Sequence, residues 1–264
     1  MAWGLLMFFW GTPAIVWALP RAARGGTDSS CYTDAMFIGH FAVGFAAKKA
    51  APVVSLGSLF LACQLADLVW PTLVLAGVER VEIRPGITVV TPLDFVSYPY
   101  SHSLVALLLW GAAFGLGYKL LRKGAWTASL VLAAVVVSHW VLDVVSHRPD
   151  VPVTLSGPQR LGLGLWNSLP ATLAVEVILF ALGAAIYQRA TAPKDRTGSL
   201  ALTGLVAFLL IVYFVNLFSP PPPSPAAVAW GAEAIWLLVA WGYWIDRHRV
   251  PREAPVTSSR TSSR

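Results

Sequence analysis

Charge is scarce in this sequence. Only 12% of its 264 residues are Asp, Glu, Lys or Arg, about half the share of a soluble globular domain, while 56% are hydrophobic. That balance excludes an ordinary soluble domain and points to an integral membrane protein. Cysteine is scarcer still: Cys31 and Cys63 are the two, with no metal-type spacing and no basis for a disulfide framework, so both read as unpaired small side chains. Also missing is the alternating pattern of a barrel strand, so the expected fold is all-helical. The net charge of +6 sits in loops and the C-terminal tail. Basic residues there hold cytoplasmic segments in place and are no sign of a nucleic-acid partner.

What is present is a series of apolar runs. A hydrocarbon core of about 30 Å needs about 20 helical residues to cross it. The runs Ala2–Pro20, Val53–Gly77, Ser103–Leu121, Trp126–Ser146, Ala171–Tyr187, Leu200–Phe218 and Ala227–Ile245 meet that need, and a shorter one, Met36–Ala47, forms a hairpin with the run after it. The expected architecture is a polytopic transmembrane bundle of 6–7 membrane helices with a short N-terminal hairpin helix. It divides into a hydrophobic segment at 1–35, a membrane domain at 36–188, two C-terminal membrane helices within 189–247 and a disordered cytoplasmic tail at 248–264. Segment 1–35 has its basic residues after the apolar run, opposite to a signal peptide, and reads as an N-out anchor or an upstream extension before Met36.

Lys119, Arg122 and Lys123 follow one span, Arg189, Lys194 and Arg196 another, and Arg247, Arg249 and Arg252 the last. Those ends are expected in the cytoplasm of a bacterial cell, with the chain multi-pass in the inner membrane and its C-terminus inside. The loops Val78–Ser101, His147–Pro170 and Ser219–Ala226 then face outward, the last as a stiff polyproline connector.

Against this apolar background stand His40, Asp67, His102, His139, Asp143, His147 and Glu176. Ionisable residues in membrane helices cost a few kcal/mol each, so each is a functional candidate, although a single one serves equally as an interhelical hydrogen-bonding residue. Helical arithmetic tests whether they meet. His40 lies 12 residues before Pro52 and Asp67 15 after it, roughly 18 and 22 Å from that hairpin tip. The next hairpin turns at Arg122–Lys123–Gly124 and matches His102 in depth with Asp143. Glu176 enters six residues after Pro170. All seven therefore share one layer in the outer half of the membrane.

His139, Asp143 and His147 are spaced i, i+4, i+8 on one helix stripe. Adjacent members can close on one ion, while the outer two are about 12 Å apart along the axis. Such a row fits two or more ions, or one ion with a supporting partner. Imidazole and carboxylate are the usual ligands of catalytic zinc, with manganese and magnesium as alternatives, and paired ions clamp a phosphoester. Arg84, Arg148 and Arg160, in the outer loops, are either phosphate receivers or solvated loop charges.

The motifs GHFAVGFAAKK, LACQLADLVWP, YSHSL, SHWVLDVVSHRPDVP and GLGLWNS, with Glu176, resemble the YdjM-type family of LexA-regulated inner-membrane metal-dependent hydrolases over about Met36 to Gln188. The ligand order is also similar to that of bacterial zinc-dependent phospholipase C. The resemblance implies that His40, Asp67, His102, His139, Asp143, His147 and Glu176 hold zinc, with Asp67 doubling as general base. The chain departs from the phospholipase pattern at Thr172, where that family has a His; Asn167 and Asp150 are the nearby substitutes.

Around these residues, Asp94 reads as an orienter of His102 and a helix cap, Ser101 and Ser103 as helix-start residues, and Trp166 as part of the interfacial aromatic belt. Glu233 and His248 fall outside the layer. The leading expectation is a membrane-embedded, metal-dependent hydrolase of a phosphoester or other ester, including a lipid, at the outer interface, whose partners are the bilayer and that small or lipid substrate. The alternatives are a transporter or proton relay, and a bis-His haem protein.

Overall fold

The computed structural model describes residues 38–123 and 125–252. The run Ala2–Pro20, Cys31, Met36 and the tail beyond residue 252 lie outside them. In chain order the elements are α1 (Ile38–Ala50), α2 (Leu56–Cys63), α3 (Leu65–Leu75), β1 (Arg80–Ile83), β2 (Leu93–Ser97), α4 (Pro99–His102), α5 (Leu104–Arg122), α6 (Trp126–Ser146), β3 (Val151–Pro152), β4 (Arg160–Leu161), α7 (Leu169–Ala190), β5 (Thr191–Pro193), α8 (Arg196–Leu217), α9 (Pro225–Ala232), α10 (Ile235–Arg247) and β6 (Arg249–Pro251). The fold is an all-α polytopic bundle. Among the described residues five helical spans are long and apolar enough to cross a membrane, namely α5, α6, α7, α8 and the run Pro225–Arg247 that α9 and α10 form together, or six if the bent pair α2–α3 counts as one. The strands form three small antiparallel pairs, β1 with β2, β3 with β4, and β5 with β6.

Helix starts follow local chemistry. Ser55, Ser103, Ser168, Asp195 and Ser224 precede α2, α5, α7, α8 and α9, and each side chain accepts a first-turn backbone N–H. Lipid tails are as apolar as leucine, so close packing rather than hydrophobic burial holds the helices together. Small residues provide it: a Cβ on Gly111 or Gly115 of α5 would strike the carbonyls of Ala133 or Ser129 on α6, and one on Gly183 of α7 would strike the Ala42 backbone of α1. At the centre, Phe45 stacks edge-on with Phe60, Phe180 and Tyr187 at 5.0, 6.0 and 5.4 Å. Leu205 and Leu209 of α8 and Leu238 and Ile245 of α10 belong to the same core as Ile38 and Phe41.

Two features depart from the sequence reading. Val53–Gly77 is no continuous span: α2 and α3 meet at a 54° bend, with Gln64 at the break in a non-helical conformation. Irregular backbone at membrane depth is tolerated where protein encloses it, and Gln64 is fully buried. The segment after α3 is also more than a loop, since β1 and β2 pair as a hairpin in which Val81 faces Phe95.

Candidate metal centre

Six of the seven residues singled out by their membrane cost meet around Asp143. His139 and Asp143 sit one turn apart on α6, and His147 is the residue that ends that helix. His40 comes from α1, Asp67 from the first turn of α3 and His102 from the end of α4. The two oxygens of Asp143 face different partners. Its Oδ2 lies 3.5 Å from His139 Nε2 and 3.9 Å from His102 Nε2. Its Oδ1 lies 3.3 Å from His40 Nε2 and 4.0 Å from His147 Nε2. Asp67 Oδ1 closes the first group, 3.4 Å from His102 Nε2 and 3.6 Å from His139 Nε2. Two overlapping sets, His40 with Asp67 and His139, and His102 with His139 and Asp143, have donor atoms close enough to hold a metal ion.

The tautomers of three rings follow from what holds their far nitrogens. His139 Nδ1 faces the Cys63 carbonyl at 2.9 Å, an oxygen that can only accept. The bend at Gln64 thus leaves a backbone carbonyl serving a histidine. His147 Nδ1 lies 3.0 Å from Asp150 Oδ1, and the Tyr98 hydroxyl donates to the same oxygen at 3.2 Å. His102 Nδ1 lies 2.7 Å from Ser101 Oγ, whose one proton goes to Glu79 Oε2 at 2.5 Å. Each Nδ1 is therefore the donor, and each Nε2 presents its lone pair to the carboxylates, the outer-shell arrangement common behind metal-binding histidines. Burial, then the Asp150 carboxylate, push the Tyr98 hydroxyl well above its ordinary pKa, so it stays a donor.

Whether these residues suit a metal can be judged from spacing and from unmet polar atoms. Donors about 2.0–2.1 Å from a tetrahedral zinc stand about 3.3–3.4 Å from one another. The pairs at 3.4, 3.5 and 3.6 Å in the Asp67, His102, His139 and Asp143 group come near that edge length. A protonated imidazole on a carboxylate would draw in to about 2.7–2.9 Å. Moreover, His139 Nε2 and Asp143 Oδ2 are buried with no hydrogen-bond partner, a costly condition that a shared cation relieves. The His/Asp set fits a metal ion. Its opening is at Asp67, whose side chain is 25% exposed against 5% or less for the other five.

Several single assignments change. Glu176 joins neither ligand group: its Oε2 accepts the Gly39 N–H at 3.2 Å, beside His40, and its Oε1 is buried without a partner. Asp94 does not orient His102, because Arg84 and Arg148 take its carboxylate. Glu79, which sequence reasoning missed, has that position through Ser101, and it also accepts the N–H groups of Tyr100 and Ser101. The only signal for it was one carboxylate early in an outer loop. Ser103 is a helix start as read, whereas Ser101 lies inside α4. Trp166 is buried and lies against the His147 ring at 4.1 Å. Thr172 is satisfied by the Leu165 and Ser168 carbonyls, and Asp150 supports His147 instead of replacing the missing histidine. Glu233 pairs with Thr72 and His248 with Asp195, both outside the centre.

No family model, curated protein or solved structure matches this chain.

Proposed function

We propose that the chain is a membrane-embedded, metal-dependent hydrolase of a phosphoester or another ester. The observation that carries this reading is the bridging position of Asp143, with imidazole nitrogens facing each of its oxygens at 3.3–4.0 Å. With His40, Asp67, His102, His139 and His147 around it, such a carboxylate would help hold one ion or two, and the donor sets close enough for an ion are His40 with Asp67 and His139, and His102 with His139 and Asp143. Zinc suits the nitrogen and oxygen donors, and manganese or magnesium are the alternatives. When bound, such ions lower the pKa of water and neutralise the oxygens of an ester in transition.

The chain's own residues supply the rest. Asp67, at the open edge, takes the proton of the attacking water. His102, His139 and His147 keep their orientation through Ser101, Cys63 and Asp150. The apolar helices around them exclude bulk water, and a lipid ester is among the substrates proposed. Membership of the YdjM-type family belongs to this proposal and rests on motif order alone.

The location proposed is a bacterial inner membrane, with the centre in the outer half and the C-terminus inside. The basic residues Lys48 and Lys49 end α1, and Lys119 and Arg122 end α5. The centre lies toward the opposite ends of both helices, as an outer-half position requires.

A bis-His haem reading is disfavoured because a carboxylate stands between the candidate ring nitrogens. Metal analysis of the purified protein beside Asp143→Asn tests the proposal. Stoichiometric zinc or manganese in the parent and its loss in the variant are expected, with activity in a screen of phosphate monoesters, diesters and phospholipids. Metal-free protein with a Soret band would sink the reading.

A further inference from the structure

The outer loops hold a cavity of about 180 Å³ between β2 and the β3–β4 hairpin, lined by Ser97, Tyr98, Thr154, Ser156 and Arg160 among others. Three arginines occupy these loops, and their partners separate them. Arg84 pairs with Glu82 and Asp94, and Arg148 with Asp94 and Asp150. Arg160 pairs with no carboxylate among the described residues. Its guanidinium donates to two carbonyl oxygens, of Asp150 at 3.0 Å and Val96 at 3.4 Å. Those bonds orient the group without neutralising it, and they use two of its five donors.

The hydroxyls around it are suited to the same ligand. Thr154 Oγ1 accepts the Gly157 N–H at 2.8 Å, which leaves its proton to give. Ser156 is exposed in the same turn. A fork of N–H groups with several O–H groups matches a phosphate, which offers three strong acceptor oxygens. The volume sets the size: pockets for drug-sized ligands start at about 300 Å³, so this one takes a compact anionic group and no acyl chain.

The cavity also adjoins the metal centre. Tyr98 lines it, and the Tyr98 hydroxyl lies 3.2 Å from Asp150 Oδ1 and 3.4 Å from His147 Nδ1. Asp150 thus holds Arg160 by its main chain and His147 by its side chain.

We infer that the Arg160 cavity is a phosphate-binding subsite that anchors the substrate, as a lipid headgroup or as a soluble phosphate ester. The word substrate rests on the hydrolase reading; the binding of phosphate does not. Titration of the purified full-length protein in non-ionic detergent tests it, with inorganic phosphate and short-chain phosphatidic acid as probes and short-chain diacylglycerol as the neutral control. Arg160→Gln and Ser156→Asp, the second sparing the guanidinium bonds, should each weaken phosphate-group binding at least tenfold. Arg84→Gln, which removes a paired charge from the same loops, should leave it within twofold. Asp143→Asn should retain binding even if it loses metal and activity, so the hydrolase reading can fail while the subsite stands. Binding of both probes marks a site for the phosphate group itself, and binding of phosphatidic acid alone marks a headgroup site; both support the subsite. Equal affinity in the parent and Arg160→Gln, or no binding of either probe by the parent, overturns it. So does loss of binding in Asp143→Asn with none in Arg160→Gln, which would put the phosphate on the metal centre.

Discussion

The Oγ of Ser101 stands 2.7 Å from Nδ1 of His102 while giving its own proton to Glu79. A loop carboxylate thereby reaches a candidate metal ligand through one hydroxyl, and all three side chains are buried. Removing the hydroxyl frees the ring to rotate and lets Nδ1 compete with Nε2. Ser101→Ala is expected to lower metal affinity by about 10- to 100-fold, the usual effect of losing an outer-shell partner. Glu79→Ala should do the same, and the double variant should add little to either single one. Competition with a chromogenic chelator reads the affinity. A lowered melting temperature at unchanged affinity would mean that Glu79 only secures the Tyr100–Ser101 turn.

Asp143 predicts a pattern in stoichiometry. If its two oxygens serve two ions, Asp143→Ala removes both, whereas His147→Ala weakens only the ion on the Oδ1 side, where His147 Nε2 stands 4.0 Å away. Metal analysis after dialysis should find two ions in the parent, one in His147→Ala and none in Asp143→Ala. Equal loss in both variants would reduce the centre to one ion.

The bundle and the meeting of six polar residues were legible because both follow from periodicity. Apolar run length sets the spans, and a rise of 1.5 Å per residue puts His40 level with Asp67 and His102 level with Asp143. Depth says nothing about rotation around the helix axis, however, which is why Glu176 shares the layer and still bonds Gly39. The bend at Gln64 was hidden because the run around it stays apolar and carries no glycine there. Glu79 and the sharing of Asp94 between two arginines depend on how the β1–β2 hairpin folds back, a long-range event that no local pattern encodes.

A second buried ion pair lies away from the centre and predicts a stability effect. Lys48 Nζ donates to the Val54 carbonyl at 2.7 Å and lies 3.4 Å from Asp246 Oδ1, which also accepts from Tyr187 at 3.3 Å. Asp246 takes the Leu56 N–H as well, so the pair joins α1, α2, α7 and α10. Lys48→Met leaves a largely buried carboxylate without its countercharge and should cost about 3 kcal/mol, the lower end for breaking a buried pair. Adding Asp246→Asn should recover most of that loss. Unfolding in detergent measures both, and a double variant no more stable than Lys48→Met would show that the packing, not the charge, was lost.

Asp195 predicts how stability responds to acid. Its carboxylate caps α8 by accepting the Gly198 N–H at 2.9 Å and pairs with His248 Nδ1 at 2.7 Å, joining the start of α8 to the end of α10. The bond from His248, and after it the one from Gly198, hold the carboxyl below its ordinary value. A carboxyl lowered by folding stabilises the folded state once the pH exceeds the unfolded value, about 3.9 for Asp, and that contribution vanishes as the pH falls through the lowered value. Asn caps a helix about as well as Asp, so Asp195→Asn removes the charge and spares the cap. The parent should therefore melt higher than Asp195→Asn from about pH 6 to 8 and lose that advantage progressively as the pH falls below about 4. A difference that stays constant across the range would assign it to the shape of the amide, and the charge of Asp195 would then have no part in holding α8 against α10.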